Sequence, residues 1–221
     1  MSNEETFDEL KSVYDKMPET VGCVSCGKCC KIQHPHCYFV EFLYMYDYVT
    51  SNWSAGQINE LVISCVERYL SNDTNKPCVF LTKENKCKIY DRRDYNCRAF
   101  GIIPKKAYAQ RVKEVKKNFS GIRLGLEKQS DCCGDVKPEV FIGINKLDEL
   151  FLRIYKLDQK IGVSSEDLKS GNSYMTFHDH FLLFLYGSEP LFLKSLTEIK
   201  RSGSEKDKKL IIEQMRKEIS L

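Results

Sequence analysis

The sequence predicts a mostly α fold, in which a small, irregular cysteine-rich region is packed with helices and followed by a helical C-terminal region. Three observations predict it. Apolar residues recur at helical spacing in the segments that flank residues 76–103. All eleven cysteines lie between Cys23 and Cys133, and residues 134–221 contain none. Hydrophobic residues make up 42% of the 221, enough for a folded core rather than a disordered chain. The chain divides accordingly into an N-terminal helix (1–22), a cysteine-rich domain (23–135) and a helical C-terminal region (136–221).

In chain order, "FDELKSVYDKM" places Phe7, Leu10, Tyr14 and Met17 along one side of a short helix. The cysteine-rich loop follows, where Gly22 and Gly27 free the backbone to wrap closely. "FVEFLYMYDYV" fits a helix through Phe39, Phe42, Leu43, Tyr46 and Val49, and a strand through alternating Phe42, Tyr44, Tyr46 and Tyr48. Helix is the reading adopted. Ser54 and Gln57 form a capping box, and Ile58, Leu61, Val62, Cys65, Val66 and Tyr69 continue an amphipathic helix. Cys65 sits on its apolar face and reads as a small buried hydrophobe. Residues 76–103 read as loops and turns, with "CVFL" and "CKIY" as brief strands. "KKAYAQRVKEVKKNF" is a basic helix ended by Gly121. "KLDELFLRIYKLDQKIG" closes on Gly162, Thr176 opens "FHDHFLLFLYG", and Ser204 with Asp207 caps a last helix.

The cysteines carry the chemistry. The N-terminus, "MSNEETFDEL", lacks a basic n-region and an apolar h-region, so a cytoplasmic location is expected. No run approaches a membrane span. In a reducing compartment, crowded cysteines point to metal before disulfides. "CVSCGKCC" sets Cys23, Cys26 and Cys29 in a Cys-x2-Cys-x2-Cys spacing, as in iron–sulfur loops completed by a distant fourth ligand. Zinc sites more often use separated Cys-x2-Cys pairs. Cys30 follows directly, and adjacent side chains diverge, which suggests a second site or a packing role.

Further on come "KPCVFL" at Cys78, "NKCKIY" at Cys87 and "NCRAF" at Cys97. In this order and with these neighbours the cysteines resemble the family of iron- or zinc-chelating proteins named for its CxxCxxCC motif. The resemblance covers roughly residues 23–100, with an echo at Cys132–Cys133–Gly134. It implies that Cys23, Cys26, Cys29, Cys30, Cys78, Cys87 and Cys97 are the motif cysteines, and that the cofactor is an iron–sulfur cluster. Flagellin lysine N-methylases carry a related set. The family has Arg-Pro before its last Cys-Arg, whereas here Arg93 precedes Asp94. With Cys132 or Cys133 the set reaches eight, enough for two 4Fe–4S clusters or a cluster plus zinc; one cluster with surplus thiols in packing is the simpler reading. Cys37 lies outside the motif and is not expected to ligate.

Between Lys83 and Arg123, thirteen Lys or Arg face four Asp or Glu. A solvated helix face, or compensation for an anionic cluster, explains this better than nucleic acid, since no aromatic-interleaved basic motif accompanies the run. Arg98, beside Cys97, is placed to donate hydrogen bonds to cluster sulfur. The four histidines form two H-x-H pairs, His34/His36 and His178/His180. A second metal site joining the two halves is one reading of these pairs; the second pair starts a helix and reads better as surface or capping residues, while the first follows the cluster loop and is the stronger candidate. No radical-SAM, P-loop or dinucleotide motif occurs. Three function classes stay open: a redox or electron-transfer protein with an unnamed redox or protein partner, a zinc-stapled binding module, and a protein-modifying enzyme such as a lysine methylase.

Overall fold

The structure, a computed structural model, describes residues 3–23, 26–32, 35–71, 76–103, 110, 113 and 136–219. The expected basic helix (apart from Gln110 and Lys113), the Cys132–Cys133 pair and His34 lie outside the described residues. What is described is mostly helical, with only short antiparallel strands. Among the described residues no helix is long and apolar enough to cross a membrane.

Helix α1 (Asn3–Tyr14) buries Leu10, Val13 and Tyr14, with Met17 just beyond its end. Strand β1 (Thr20–Val21), short helix α2 (Lys28–Ile32) and strand β2 (His36–Tyr38) follow. The ambiguous segment is helix α3 (Phe39–Asn52), and α4 (Ala55–Leu70) begins at the expected capping box. There Gln57 N–H donates to Ser54 Oγ at 3.3 Å, and Ser54 N–H donates back to Gln57 Oε1 at 2.9 Å. A 3₁₀ turn (Tyr90–Arg92) and short helix α5 (Tyr95–Ala99) interrupt the stretch read as loops. Beyond strand β3 (Lys137–Pro138) run α6 (Ile144–Lys160), α7 (Ser165–Ser170), β4 (Tyr174–Thr176), α8 (Phe177–Tyr186), α9 (Pro190–Ser202) and α10 (Glu205–Ile219). Helix α9 was not expected; Pro190 starts it, where a missing N–H costs nothing, and Gly203 at φ +67° ends it.

Two strand–helix corners organise the molecule. Strands β2 and β4 pair antiparallel, His36 opposite Thr176 and Tyr38 opposite Tyr174, and each runs directly into a helix, α3 and α8. Their helices share a core: Phe42, Met45 and Val49 of α3 meet Phe177, Phe181 and Leu182 of α8 and Leu61, Cys65 and Val66 of α4. The other side of α3, with Val40 and Tyr44, meets Leu10 and Val13 of α1 and Leu147, Leu150 and Ile154 of α6. The cysteine-free C-terminal elements therefore supply a large part of both cores and do not stand apart from the cysteine-rich stretch. Each fully buried Leu or Phe contributes roughly 1.5–3 kcal/mol.

The start of α3 is held by two buried carboxylates. Asp158 of α6 accepts from Phe39 N–H at 3.1 Å and Val40 N–H at 2.7 Å, serving two donors that the first helical turn leaves without internal partners. Glu41 accepts from Tyr38 N–H at 2.9 Å, Tyr95 N–H at 2.7 Å and Tyr14 O–H at 2.8 Å. Both carboxylates are fully buried.

Burial raises the Asp158 carboxyl from its ordinary 3.8 to about 6, outweighing the two N–H groups that favour its charged form. Between these values the folded chain keeps a proton that the unfolded chain has released. Through this group, stability is greatest below pH 3.8 and falls as pH rises to about 6. Asp158→Ala is expected to lose about 2–3 kcal/mol at neutral pH, with two buried N–H groups left unserved. Urea denaturation across this range checks both effects: the wild-type-minus-variant difference should shrink steadily as pH rises from 4 to 6 (about the titration window).

Candidate metal centre

Four separate segments bring the motif cysteines together. The first is the loop from Cys23 into α2, whose turn needs Gly27 at φ +66°. Cys29 and Cys30 fall in the first turn of α2, and their Sγ atoms lie 3.9 Å apart. The expected divergence of this doublet is absent, since both sulfurs face the same space. The second and third segments flank a tight hairpin. Cys78 N–H donates to Cys30 O at 2.7 Å, and an isolated bridge pairs Leu81 with Cys87. Thr82 N–H to Lys86 O (2.8 Å) and Lys88 N–H to Phe80 O (2.9 Å) close it, with Asn85 left-handed at its tip. The fourth is α5, where Asp94 is the N-cap: its Oδ1 accepts from Cys97 N–H at 2.9 Å. Asp94, directly after Arg93, thus starts this helix as its capping residue.

Cys23, Cys26, Cys29, Cys30, Cys78, Cys87 and Cys97 all line one cavity of about 100 Å³. Met45, Phe80, Ile89, Phe100 and Phe177 supply its apolar wall, and Arg68, Arg93, Asp94, Thr176 and His178 its polar side chains. Among the described residues no group of three His, Cys, Asp or Glu side chains meets at a single ion-sized point. The sulfurs stand around a shared wall, and a rotamer change carries a sulfur far across a space this small. Soft thiols at this density fit zinc or iron, and poorly fit a hard cation.

Cys78, Cys87 and Cys97 are only half-buried by surface, yet burial pushes all three thiols up, Cys78 to about 12. The two observations agree once the exposed surface is recognised as facing the cavity rather than bulk water. Asp94 pushes Cys97 further in the same direction, and Arg93 acts oppositely on Cys87. In the Cys29–Cys30 pair the Cys30 S–H hydrogen bond lowers Cys29, while the same contact raises Cys30.

Arg98 is placed elsewhere than expected. Its Nε donates to Arg93 O at 2.8 Å, a terminal nitrogen donates to Asp91 O at 2.6 Å, and the guanidinium lies 4.3 Å from the Tyr14 ring centre. The arginines on the cavity wall are Arg68 and Arg93. In its described part the basic run lies over aromatic rings: Lys88 over Trp53, Arg92 over Tyr44, Arg93 over Tyr90. Cys37 and Cys65 are buried in the core and line no part of the cavity. His180 is no surface residue: it stacks on Phe42, with Nε2 3.0 Å from Cys37 O. Sequence reasoning missed Arg68, Asp94 and Thr176 as wall residues. Only for Asp94 was there a local signal, a capping side chain three residues before a motif cysteine.

Residues 22–119 match the family model described as "CxxCxxCC: Putative zinc- or iron-chelating domain". The match covers a little under half of the chain. No curated protein and no solved structure matches the chain. The CxxCxxCC domain contains all seven cavity cysteines, but Thr176, Phe177 and His178 lie outside it. The cavity is thus closed by a part of the chain that the family pattern does not include.

Two variants separate packing from ligation. Cys65→Ala is expected to keep the full metal content and lose about 1–2 kcal/mol, the cost of a small core truncation; elemental analysis with chemical denaturation checks it. A Cβ on Gly27 would meet Asn85 O at 2.7 Å and Leu81 Cδ1 at 2.8 Å, in a left-handed conformation that disfavours any side chain. Gly27→Ala should therefore push the cysteine loop off the hairpin and lower bound metal, with every thiol still present. Normal metal content in that variant would contradict the close approach.

Proposed function

We propose that the cysteine cavity holds an iron–sulfur cluster of the 4Fe–4S type, and that the protein passes single electrons to or from a partner. The observation that carries the reading is the gathering of seven thiols from four segments around one cavity with a largely apolar wall. A bound cluster would supply a one-electron couple. The Cys-x2-Cys-x2-Cys loop supplies three of the cysteines, and the hairpin and α5 offer the fourth. Arg68 and Arg93 on the wall offset the negative charge that a thiolate-bound cluster carries and favour its more reduced form. Phe80, Phe100 and Phe177 exclude water, which protects sulfide from hydrolysis. One cluster is the reading adopted, since the seven thiols share one small space.

Anaerobic purification followed by iron, zinc and acid-labile sulfide analysis tests this directly. Iron and sulfide in equal amounts, with broad visible absorption that bleaches on reduction, are expected. Replacing Cys23, Cys26 or Cys29 by Ser should remove most of the iron and the colour, because Ser oxygen is a poor substitute for thiolate. Stoichiometric zinc without sulfide would overturn the cluster and leave a zinc-stapled module.

A further inference from the structure

We propose that His178, which lies outside the CxxCxxCC domain, is a nitrogen ligand to the metal held in the cysteine cavity. The inference rests on the metal-binding reading of that cavity, but not on whether the metal is iron or zinc. His178 is the one histidine on the cavity wall among the described residues, and its side chain is 14% exposed. Backbone pairing puts it there. Strand β4 is held against β2, Thr176 ends that strand and caps α8, and His178 follows in the first turn of the helix.

The hydrogen bonds around Thr176 favour one tautomer of the His178 ring. A hydroxyl has one hydrogen to donate and can accept twice. Thr176 Oγ1 lies 2.5 Å from Asp179 Oδ2, an acceptor only, so its hydrogen goes there. It accepts from Asp179 N–H at 3.3 Å, which leaves its second acceptor position for His178 Nε2 at 3.2 Å. In this arrangement Nε2 donates to the hydroxyl, and a neutral imidazole so bonded keeps its lone pair on Nδ1. A chain from imidazole N–H through a hydroxyl to a carboxylate is the kind of support that fixes the tautomer of metal-ligating histidines. His180 provides the contrast. Its Nε2 faces the Cys37 carbonyl within the core, and it lines no part of the cavity. Beside the seven thiols, His178 is the cavity-lining side chain among the described residues that offers an imidazole nitrogen to a metal.

The test uses the full chain loaded anaerobically with zinc, a tetrahedral and redox-silent probe, and X-ray absorption at the zinc edge. A mixed sulfur and nitrogen shell with the outer-shell scattering of an imidazole ring is expected in the wild type. His178→Ala should abolish the imidazole signature, and His36→Ala should leave it unchanged. His178→Cys, which restores a donor, should keep the zinc in an all-sulfur shell; its circular dichroism and zinc content guard against a folding failure in the alanine variant. An all-sulfur shell in the wild type, or an imidazole signature that persists in His178→Ala, would overturn the ligand assignment while leaving metal binding intact. A wild-type chain that takes up no zinc or iron would overturn the metal-binding reading itself, and this assignment with it.

Discussion

Glu41 joins three elements that share no neighbouring sequence. Its carboxylate takes a hydrogen bond from the end of α1 through Tyr14, from the β2–α3 junction through Tyr38, and from the first turn of α5 through Tyr95. A carboxylate taken wholly out of water costs several kcal/mol unless its lone pairs are served. Three donors serve it here, and each comes from a different element, so none can move without leaving a buried oxygen short. Asp94 adds to the constraint. It is buried nearby, and its charge raises the proton affinity of the Glu41 carboxyl beyond what burial alone does. One residue on from Asp94, Tyr95 binds Glu41; three residues on, Cys97 faces the cavity. The position of the last motif cysteine is thus tied to the core by a chain of backbone hydrogen bonds to buried acids.

The same logic applies to the opposite wall. Asp158 fixes the first turn of α3, and the β2–β4 pairing then sets where α8 begins. Phe177, the first residue of α8, packs on Phe80 at 4.5 Å between ring centres and on Phe42 at 5.5 Å. Phe80 lies in the hairpin between Cys78 and Cys87. The C-terminal half therefore holds the hairpin from behind while its Thr176–His178 corner faces the thiols. A cysteine-rich loop region of this size contains few apolar residues of its own. It borrows a core from helices that come later in the chain.

Much of this was legible in the sequence. The helices α1, α3, α4, α6, α8 and α10 follow apolar periodicity and caps such as Ser54–Gln57 and Thr176–Asp179, and four cysteine elements in fixed order announce the centre. What was not legible has physical causes. Asp158 sits within a helical segment rich in charge, where an acid ordinarily faces solvent, and Glu41 within an aromatic one with little charge; only tertiary packing shows that both are buried. Strands β2 and β4 are three residues each, too short for any alternation to register, yet they join positions 36 and 176. The place of His178 depends on that pairing. The His178/His180 pair was visible as a pattern, but helical spacing sends one ring to the cavity and the other to the core. Arg98 was chosen for its nearness to Cys97 in sequence. In α5 the neighbouring side chain points away, and the cations on the wall arrive from α4 and from the turn before Asp94.

Burial also sets the terms on which a zinc- or iron-chelating site can work. Cys78, Cys87 and Cys97 face a space whose apolar wall disfavours thiolates, so on their own they stay protonated at neutral pH. A metal ion must then displace those protons, which makes uptake dependent on pH and strengthens the hold on any cation that arrives. Arg93 and Arg68 supply part of the balancing charge from the wall, yet two guanidinium groups cannot match the four thiolates of even a single tetrahedral site. A metal bound there would supply further positive charge. The same apolar enclosure that makes empty thiolates costly makes a filled site stable, and it does so with side chains contributed by both ends of the chain.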